Sequence, residues 1–338
     1  MKPHVLVARL DNAGDVLLAG PAVRAVAAGA RKVTMLCGPG GRAAAELLPG
    51  VDDIVVFDAP WVSFDAPDVD RASIDALVDR TEEIGVDRAF ILTSFHQSPL
   101  PLALLLRLAG VAEIAATSVD YAGRLLDVRH RVVEGAHEVE QSLSLVATLG
   151  HRLPDGDDGR LGVRRPLPVW RPCEEPYVVV HPGASVPARG WDAGRAAALV
   201  ELLAGEDRCA VVTGGPTERA LTAQVAGRTG IDLGGQVDFA GLAGVLAGAS
   251  VVVSGNTGPA HLAAAVGTPV VSIFAPVVPA ERWRPWGVAS VVLGDQEIAC
   301  GGCRARVCPL EHQHCLAGVT PEVVADALRS LDRQRVPA

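Results

Sequence analysis

The chain has 338 residues, 49% of them hydrophobic, 20% charged and 4% aromatic, with 36 glycines and 24 prolines. At roughly 100–200 residues per domain this is room for about two domains, each able to bury its own core, and the composition excludes a disordered chain. Thirty basic against 39 acidic side chains leave a net charge of −9, which argues against a general nucleic-acid or anionic-membrane surface and leaves room only for a local basic cleft.

Along the first half, short apolar runs alternate with Ala- and Leu-rich stretches of helical period. Val5–Ala8, Val33–Cys37, Ile54–Phe57 and Ala89–Thr93 read as buried strands; Leu17–Ala28, Ala72–Ile84, Pro101–Leu108 and Glu138–Gly150 read as helices. Strand–helix alternation predicts a parallel sheet covered on both faces. The segment His151–Pro176 is rich in Pro, Gly and charge and reads as an interdomain linker. The alternation then restarts. Tyr177–His181, Cys209–Thr213, Val251–Ser254 and Val270–Phe274 are predicted strands; Ala193–Leu203, Thr217–Gly227, Leu242–Gly248 and Pro259–Val266 are predicted helices. Thr320–Arg333 is a last helix, with Thr320 as N-cap and Pro321 in its first turn. No apolar run reaches the ~18 residues of a membrane span, and Met1–Ala8 lacks the apolar core and cleavage site of a signal peptide. The expectation is a cytoplasmic protein without a transmembrane segment, for which peripheral membrane association stays open. The expected fold class is α/β, with two Rossmann-like doubly wound domains: 1–165, then 170–338, the last helix being a candidate to pack back on the first domain.

Ligands of such sheets bind at the C-terminal ends of strands, so chemistry belongs in the loops that follow them. The first strand runs into Arg9-Leu10-Asp11-Asn12-Ala13-Gly14-Asp15. Gly14 permits a tight turn, and Asp15 falls at a helix N-terminus, where it serves either as a cap or as a general base; Asp11 is a second candidate. The strand Tyr177–His181 leads into His-Pro-Gly-Ala-Ser, ending at Ser185, and then to Arg189. These residues can donate to phosphate oxygens and neutralise a diphosphate, or form an ordinary turn with a surface arginine. In Gly214-Gly215-Pro216-Thr217-Glu218, Thr217 reads as a helix cap, and Glu218 either complements the helix dipole or accepts from a ribose hydroxyl. The loop Ser254-Gly255-Asn256-Thr257-Gly258 opens a helix at Pro259, so the N–H groups of Thr257 and Gly258 make an anion site that His261 could also face.

These residues are similar to those of the heptosyltransferase family of glycosyltransferases (glycosyltransferase family 9, lipopolysaccharide heptosyltransferase-like). Four stretches carry the resemblance, residues 9–26, 181–191, 214–218 and 254–276, and it continues through Arg282-Trp283 and Pro285-Trp286-Gly287 into the cysteine-rich stretch 300–315 and Val319-Thr320-Pro321-Glu322. It implies a GT-B fold with an interdomain cleft, the acceptor on the first domain and a nucleotide sugar, typically ADP-heptose, on the second. It further implies inversion of configuration in a single displacement onto a glycan or small-molecule hydroxyl. By the same resemblance Asp15 is the general base, with Asn12 and Gly14 in its loop. Ser185 and Arg189 contact the donor, Glu218 the nucleoside, and Asn256, Thr257, Gly258 and His261 line the diphosphate loop. Two positions depart from the family pattern. Asn256 stands where an Asp is usual, and Arg189 where a Lys is usual, a change that keeps charge but not geometry. No cofactor is expected for catalysis.

Four of the seven cysteines, Cys300, Cys303, Cys308 and Cys315, follow C-x2-C-x4-C-x6-C beside His312 and His314. They are candidates for structural zinc, or else for reduced or disulfide-linked structural cysteines. Cys37, Cys173 and Cys209 read as isolated. The acceptor pocket is expected in the loops Trp61–Asp70 and Ser94–Pro99 of the first domain. Besides a non-catalytic sugar-nucleotide-binding protein, two rival readings remain. One is a sugar-nucleotide epimerase or hydrolase of the same fold. The other is an NAD(P)-dependent oxidoreductase, suggested by Gly38-x-Gly40-x-x-Ala43 after a strand with Asp58 closing the next.

Overall fold

The protein is described from a computed structural model that covers residues 1–62, 66–94, 97–174, 176–310 and 313–335. It forms two compact units, Met1–Arg164 and Arg165–Ala338.

The first unit holds strands β1 (His4–Arg9), β2 (Lys32–Cys37), β3 (Asp53–Val56), β4 (Arg88–Ile91), β5 (Glu113–Thr117) and β6 (Val128–His130). All pairs are parallel, in the order β3-β2-β1-β4-β5-β6. The apolar runs sit where the sheet is covered on both faces: Val5, Leu6 and Val7 of β1 and Phe90 of β4 are fully buried. Leu6, Leu36, Ile91 and Ile114 share a core with Leu102 and Leu106 of the helix Leu100–Leu108. Two expectations change here. The predicted helix Leu17–Ala28 is two helices, Ala13–Leu18 and Gly20–Gly29, because Pro21 has no N–H to continue the first and fits the first turn of the second. The helix Arg42–Leu47 and strands β5 and β6 join the predicted set.

The second unit repeats the plan. Its strands are β7 (Tyr177–His181), β8 (Cys209–Val212), β9 (Ile231–Asp232), β10 (Val251–Gly255), β11 (Val270–Ile273) and β12 (Ser290–Leu293). They are parallel in the order β12-β11-β10-β7-β8-β9. Numbered from its own first strand, this is the same Rossmann order as in the first unit, with the reversal between β7 and β10. The helix Pro321–Arg335 is capped by Thr320, whose Oγ1 accepts from Val323 N at 3.4 Å. It packs against the helix Ala193–Gly205 and the second sheet, with Arg208–Asp332 and Arg329–Glu206 ion pairs at 2.9 and 2.5 Å.

The Pro- and Gly-rich segment read as a linker is divided between the units. In the first unit, Asp157 pairs with Arg24 at 2.6 Å and Arg164 Nε donates to Leu48 O at 2.9 Å. In the second, Pro168 and Trp170 lie so close over the helix Phe239–Gly248 that a Cβ on Gly244 would fall 2.0 Å from the Pro168 carbonyl oxygen. Cys173 and Cys209, expected to stand alone, form a disulfide; their pairing could not be read from positions 36 apart in sequence.

Candidate active site

β1 ends on Arg9, whose side chain is 2% exposed. A guanidinium at the end of an apolar strand is tolerable only with compensating charge, and three carboxylates supply it. Arg9 Nη2 donates to Asp15 Oδ1 at 2.9 Å, Nη1 to Glu138 Oε2 at 3.2 Å, and Nε lies 2.7 Å from Asp11 Oδ2 in a misaligned ion pair. Ser94 Oγ also accepts from Nη2, at 2.9 Å, and Gln97 Nε2 donates to Asp11 Oδ1 at 2.5 Å. Burial alone would pull the Arg9 pKa down, but the charges of Asp11, Asp15 and Glu138 outweigh it and raise it above the ordinary value. Burial pushes the Asp11 carboxyl up to about 6, with Asp15 and Glu138 adding to the rise against the pull of Arg9. Asp15 is the most accessible of the three acids, at 23% exposure against 11% for Asp11 and 3% for Glu138.

Asp15 is not the helix cap. Asn12 occupies that position and makes no capping bond, while Asp15 lies inside the first turn of Ala13–Leu18. Gly14 is buried beside it and Asn12 is exposed. Arg9, Glu138, Ser94 and Gln97 were missed as site residues. Of the two loops expected to hold the acceptor, residues 63–65 and 95–96 lie outside the described residues; Ser94 and Gln97 place the ends of the second loop against the Asp11–Asp15 cluster. The glycine motif after β2 packs against the β1 loop. A Cβ on Gly38 would lie 2.5 Å from Leu10 O, on Gly40 2.8 Å from Asn12 Oδ1, and on Gly41 2.7 Å from Val16 Cγ2. This close approach of one loop to another accounts for the glycines without a dinucleotide.

In the second unit, β10, β7 and β8 are neighbours, so the loops after them emerge side by side at the strand-order reversal. Arg189 ends the 3-10 turn Pro187–Arg189. Its carbonyl oxygen would lie 3.1 Å from a Cβ on Gly255, which packs the arginine turn onto the loop after β10. Thr257 is the N-cap residue of the helix Gly258–Val266, with its hydroxyl 3.2 Å from Ser254 Oγ. Asn256 and His261 are buried, Thr257 and Gly258 half-buried, and Ser185 exposed. Glu218 Oε2 accepts from Gly215 N at 2.7 Å, and its Oε1 lies over Gly183, where a Cβ would come within 1.9 Å. Thr217, expected to cap a helix, lies instead inside the 3-10 turn Pro216–Glu218, whose N-cap is Gly215; the α-helix Arg219–Ala226 follows. Early Pro216 and the Glu218 bond to Gly215 fix that tighter turn. His181 is buried, with Nδ1 3.1 Å from Thr213 Oγ1. Burial holds its pKa down at about 4 against the opposing charge of Glu218.

The cysteine-rich segment braces the arginine turn through one peptide group, Ala188 N donating to Arg306 O at 2.9 Å, and is tied to the segment after β11 by Gly302 N donating to Pro276 O at 2.7 Å and Arg304 N to Val277 O at 3.0 Å. Cys300, Cys303, Cys308 and Cys315 are free thiols. Among the described residues no three Cys, His, Asp or Glu side chains converge as a metal site, so of the two readings the zinc candidate finds no assembled ligand set there; His312 lies outside the described residues. No described helix is long and apolar enough to cross a membrane.

The sequence model of glycosyltransferase family 9 (heptosyltransferase) matches residues 102–314, more than half of the chain. Lipopolysaccharide heptosyltransferase 3 of Escherichia coli is 27% identical over 169 residues, covering 46% of this chain and 48% of the relative, so the chain spans about half the length of that protein. Lipopolysaccharide heptosyltransferase 1 of Pseudomonas aeruginosa is 28% identical over 257 residues, 70% of this chain and 72% of the relative. The solved structure of E. coli ADP-heptose lps heptosyltransferase II superposes with a TM-score of 0.74 at 20% identity over 99% of both chains. The fold is therefore GT-B, built from two Rossmann-like units. With the family model extending from the helix Leu100–Leu108 into the cysteine-rich segment, the chain belongs to glycosyltransferase family 9, the heptosyltransferases.

Proposed function

We propose that the protein is an inverting glycosyltransferase that moves a heptose from ADP-heptose onto a hydroxyl of a lipopolysaccharide-type glycan or a smaller acceptor. Asp15 takes the proton of the acceptor hydroxyl as its oxygen attacks the anomeric carbon. The bond to the diphosphate breaks on the opposite side, and the electron pair leaves on ADP. A general base of this kind contributes about 10²–10⁴-fold. The negative charge growing on the leaving diphosphate falls to the second unit. The N–H groups at Thr257 and Gly258 and the guanidinium of Arg189 are fixed donors that stabilise it. Asn256 and His261 line the same loop, Ser185 adds a hydroxyl at its rim, and Glu218 is oriented to accept from the nucleoside. The protein's residues carry every step.

The observation that carries this reading is the state of Asp15: a carboxylate tethered to a buried arginine, yet the most accessible of its cluster. Two further features support the donor assignment, the three adjacent loops at the β7/β10 reversal and the name of the E. coli structural relative, which specifies ADP-heptose. The test is to offer a panel of sugar nucleotides with core-oligosaccharide acceptors and to read ADP release and the anomeric configuration of the product by NMR. ADP-heptose should be consumed with inversion. Asp15→Asn should lose about 10²–10⁴-fold in turnover while keeping its calorimetric affinity for ADP. Release of free sugar from the donor alone, at the same rate with and without acceptor, would favour a hydrolase instead.

A further inference from the structure

β7 closes on His181, a buried imidazole in the middle of the second sheet, at the strand-order reversal. A histidine buried for packing normally has both ring nitrogens satisfied, and two others in this chain do. The ring nitrogens of His4 meet Ile84 O at 3.0 Å and Thr34 Oγ1 at 2.8 Å; those of His130 meet Thr117 Oγ1 at 2.8 Å and Ser144 Oγ at 3.0 Å. His181 differs. Its Nδ1 lies 3.1 Å from Thr213 Oγ1, while among the described residues its Nε2 has no hydrogen-bond partner and is not sealed from solvent.

The contact with Thr213 decides which nitrogen carries the proton. Thr213 is fully buried, and His181 Nδ1 is the one described partner of its hydroxyl. That O–H is satisfied only by donating to Nδ1, which leaves the proton of a neutral ring on Nε2. Burial keeps the ring neutral, with a pKa of about 4 against the pull of Glu218. Glu218, close enough for its charge to act on the ring, supplies the complementary group. Its Oε2 accepts from Gly215 N at 2.7 Å, and its Oε1 lies over Gly183, just beyond His181, with no protein donor among the described residues. A free uncharged donor and a free acceptor thus face one ligand. A phosphate fits poorly beside a carboxylate, whereas neighbouring hydroxyls both donate and accept. His181 is also paired in register with Ser254, where the loop assigned to the diphosphate begins, and the ribose is the part of the nucleotide joined to that diphosphate.

Resting on the reading of Glu218 as the nucleoside contact, we propose that His181 is a second ribose ligand: its Nε2–H donates to one hydroxyl oxygen of the vicinal diol while Glu218 Oε1 accepts from the neighbouring hydroxyl. Thr213 is a positioning residue that fixes the tautomer. The pair selects a ribonucleotide over a deoxyribonucleotide, because a missing hydroxyl leaves the imidazole N–H or the carboxylate oxygen without its partner.

The experiment measures calorimetric affinities of the full chain for ADP, 2′-deoxy-ADP and 3′-deoxy-ADP. Wild type should bind at least one deoxy analogue about 10- to 100-fold more weakly than ADP. His181→Phe keeps a ring but loses the donor. It should bind ADP about tenfold more weakly and no longer discriminate against one analogue, a change that a merely structural role would not produce. His181→Gln, whose amide can place an N–H near the Nε2 position, should recover part of both effects. ¹⁵N imidazole NMR of wild type makes the test independent of whether His181→Phe folds. The His181 proton should sit on Nε2, and that resonance should move with ADP but not with the analogue lacking the contacted hydroxyl. The proposal is overturned by a proton on Nδ1, by equal wild-type affinity for all three nucleotides, or by the same discrimination in His181→Phe as in wild type. Failure of the Glu218 reading looks different: Glu218→Gln would then discriminate as wild type does, while His181→Phe would not. Should wild type bind no ADP, the donor assignment fails, and the same comparison of UDP with 2′- and 3′-deoxy-UDP decides the role of His181.

Discussion

At the residue scale, the two units spend their glycines differently. Gly183 lies beneath Glu218, and the clashing atom of a Gly183→Ala variant is the end of a flexible side chain. The variant should fold with little loss, because Glu218 can swing away, but it would break the carboxylate's bond to Gly215 N. A hydrogen bond from the nucleoside to the Glu218 carboxylate would be worth about 1.5–3 kcal/mol, so with Glu218 displaced, ADP affinity measured by calorimetry should fall about tenfold or more. An unchanged affinity would show that Glu218 does not orient the nucleoside. Site residues were legible in sequence to the extent that their neighbours in the chain reported on them. Asp15 and Thr257 lie where a strand gives way to a helix, and that local grammar singles them out as candidates. Arg9 carried a weaker signal, a guanidinium closing the apolar run Val5–Ala8 with two aspartates inside six positions. Glu138 carried none, since its partner is 129 positions away and an acidic residue in a first helical turn is ordinary.

At the scale of elements, apolar strands in the middle of each sheet were readable because burial on both faces leaves an unbroken hydrophobic run. The strands that escaped notice are short, polar or Ala-rich and lie away from β1 and β7: Glu113–Thr117, Val128–His130, Ile231–Asp232 and Ser290–Leu293. Their pairing comes from neighbours rather than from their own pattern. The glycine run after β2 shows the reverse error, a ligand motif by spacing that the structure uses for packing. Gly38→Ala would set a methyl 2.5 Å from the Leu10 carbonyl oxygen, a backbone atom that cannot swing aside. Thermal or urea unfolding should show a loss of about 1–3 kcal/mol, and kcat should fall with it because the displaced loop carries Asp11 and Asp15. A variant as stable and active as wild type would mean that the two loops are not in contact.

At the scale of the whole molecule, the domain count was readable from length and from the restart of strand–helix alternation, and each unit closes a complete six-stranded sheet of the same order. The boundary was not readable from composition alone. Pro, Gly and charge mark 151–176 as irregular, but only tertiary contacts show that Asp157 and Arg164 are tied to the first unit and Trp170 to the second. Because each unit contains its own buried core, a fragment of residues 165–338 should fold alone with cooperative unfolding and bind ADP, whereas residues 1–164 should fold without binding it. Circular dichroism and calorimetry of the two fragments check this; ADP binding by the first fragment would reverse the assignment of donor and acceptor units.

The hold of the cysteine-rich stretch on Ala188, made by Arg306 through main-chain atoms, has a consequence for chemical probing. No single side-chain substitution removes such a link, so alanine scanning of residues 300–310 would pass over it. A bulky maleimide on the exposed Cys300 or Cys303 acts on the segment as a body, and its reach extends through one peptide group to the turn that carries Arg189. Thiol labelling is thus a remote handle on the cation proposed for the leaving group.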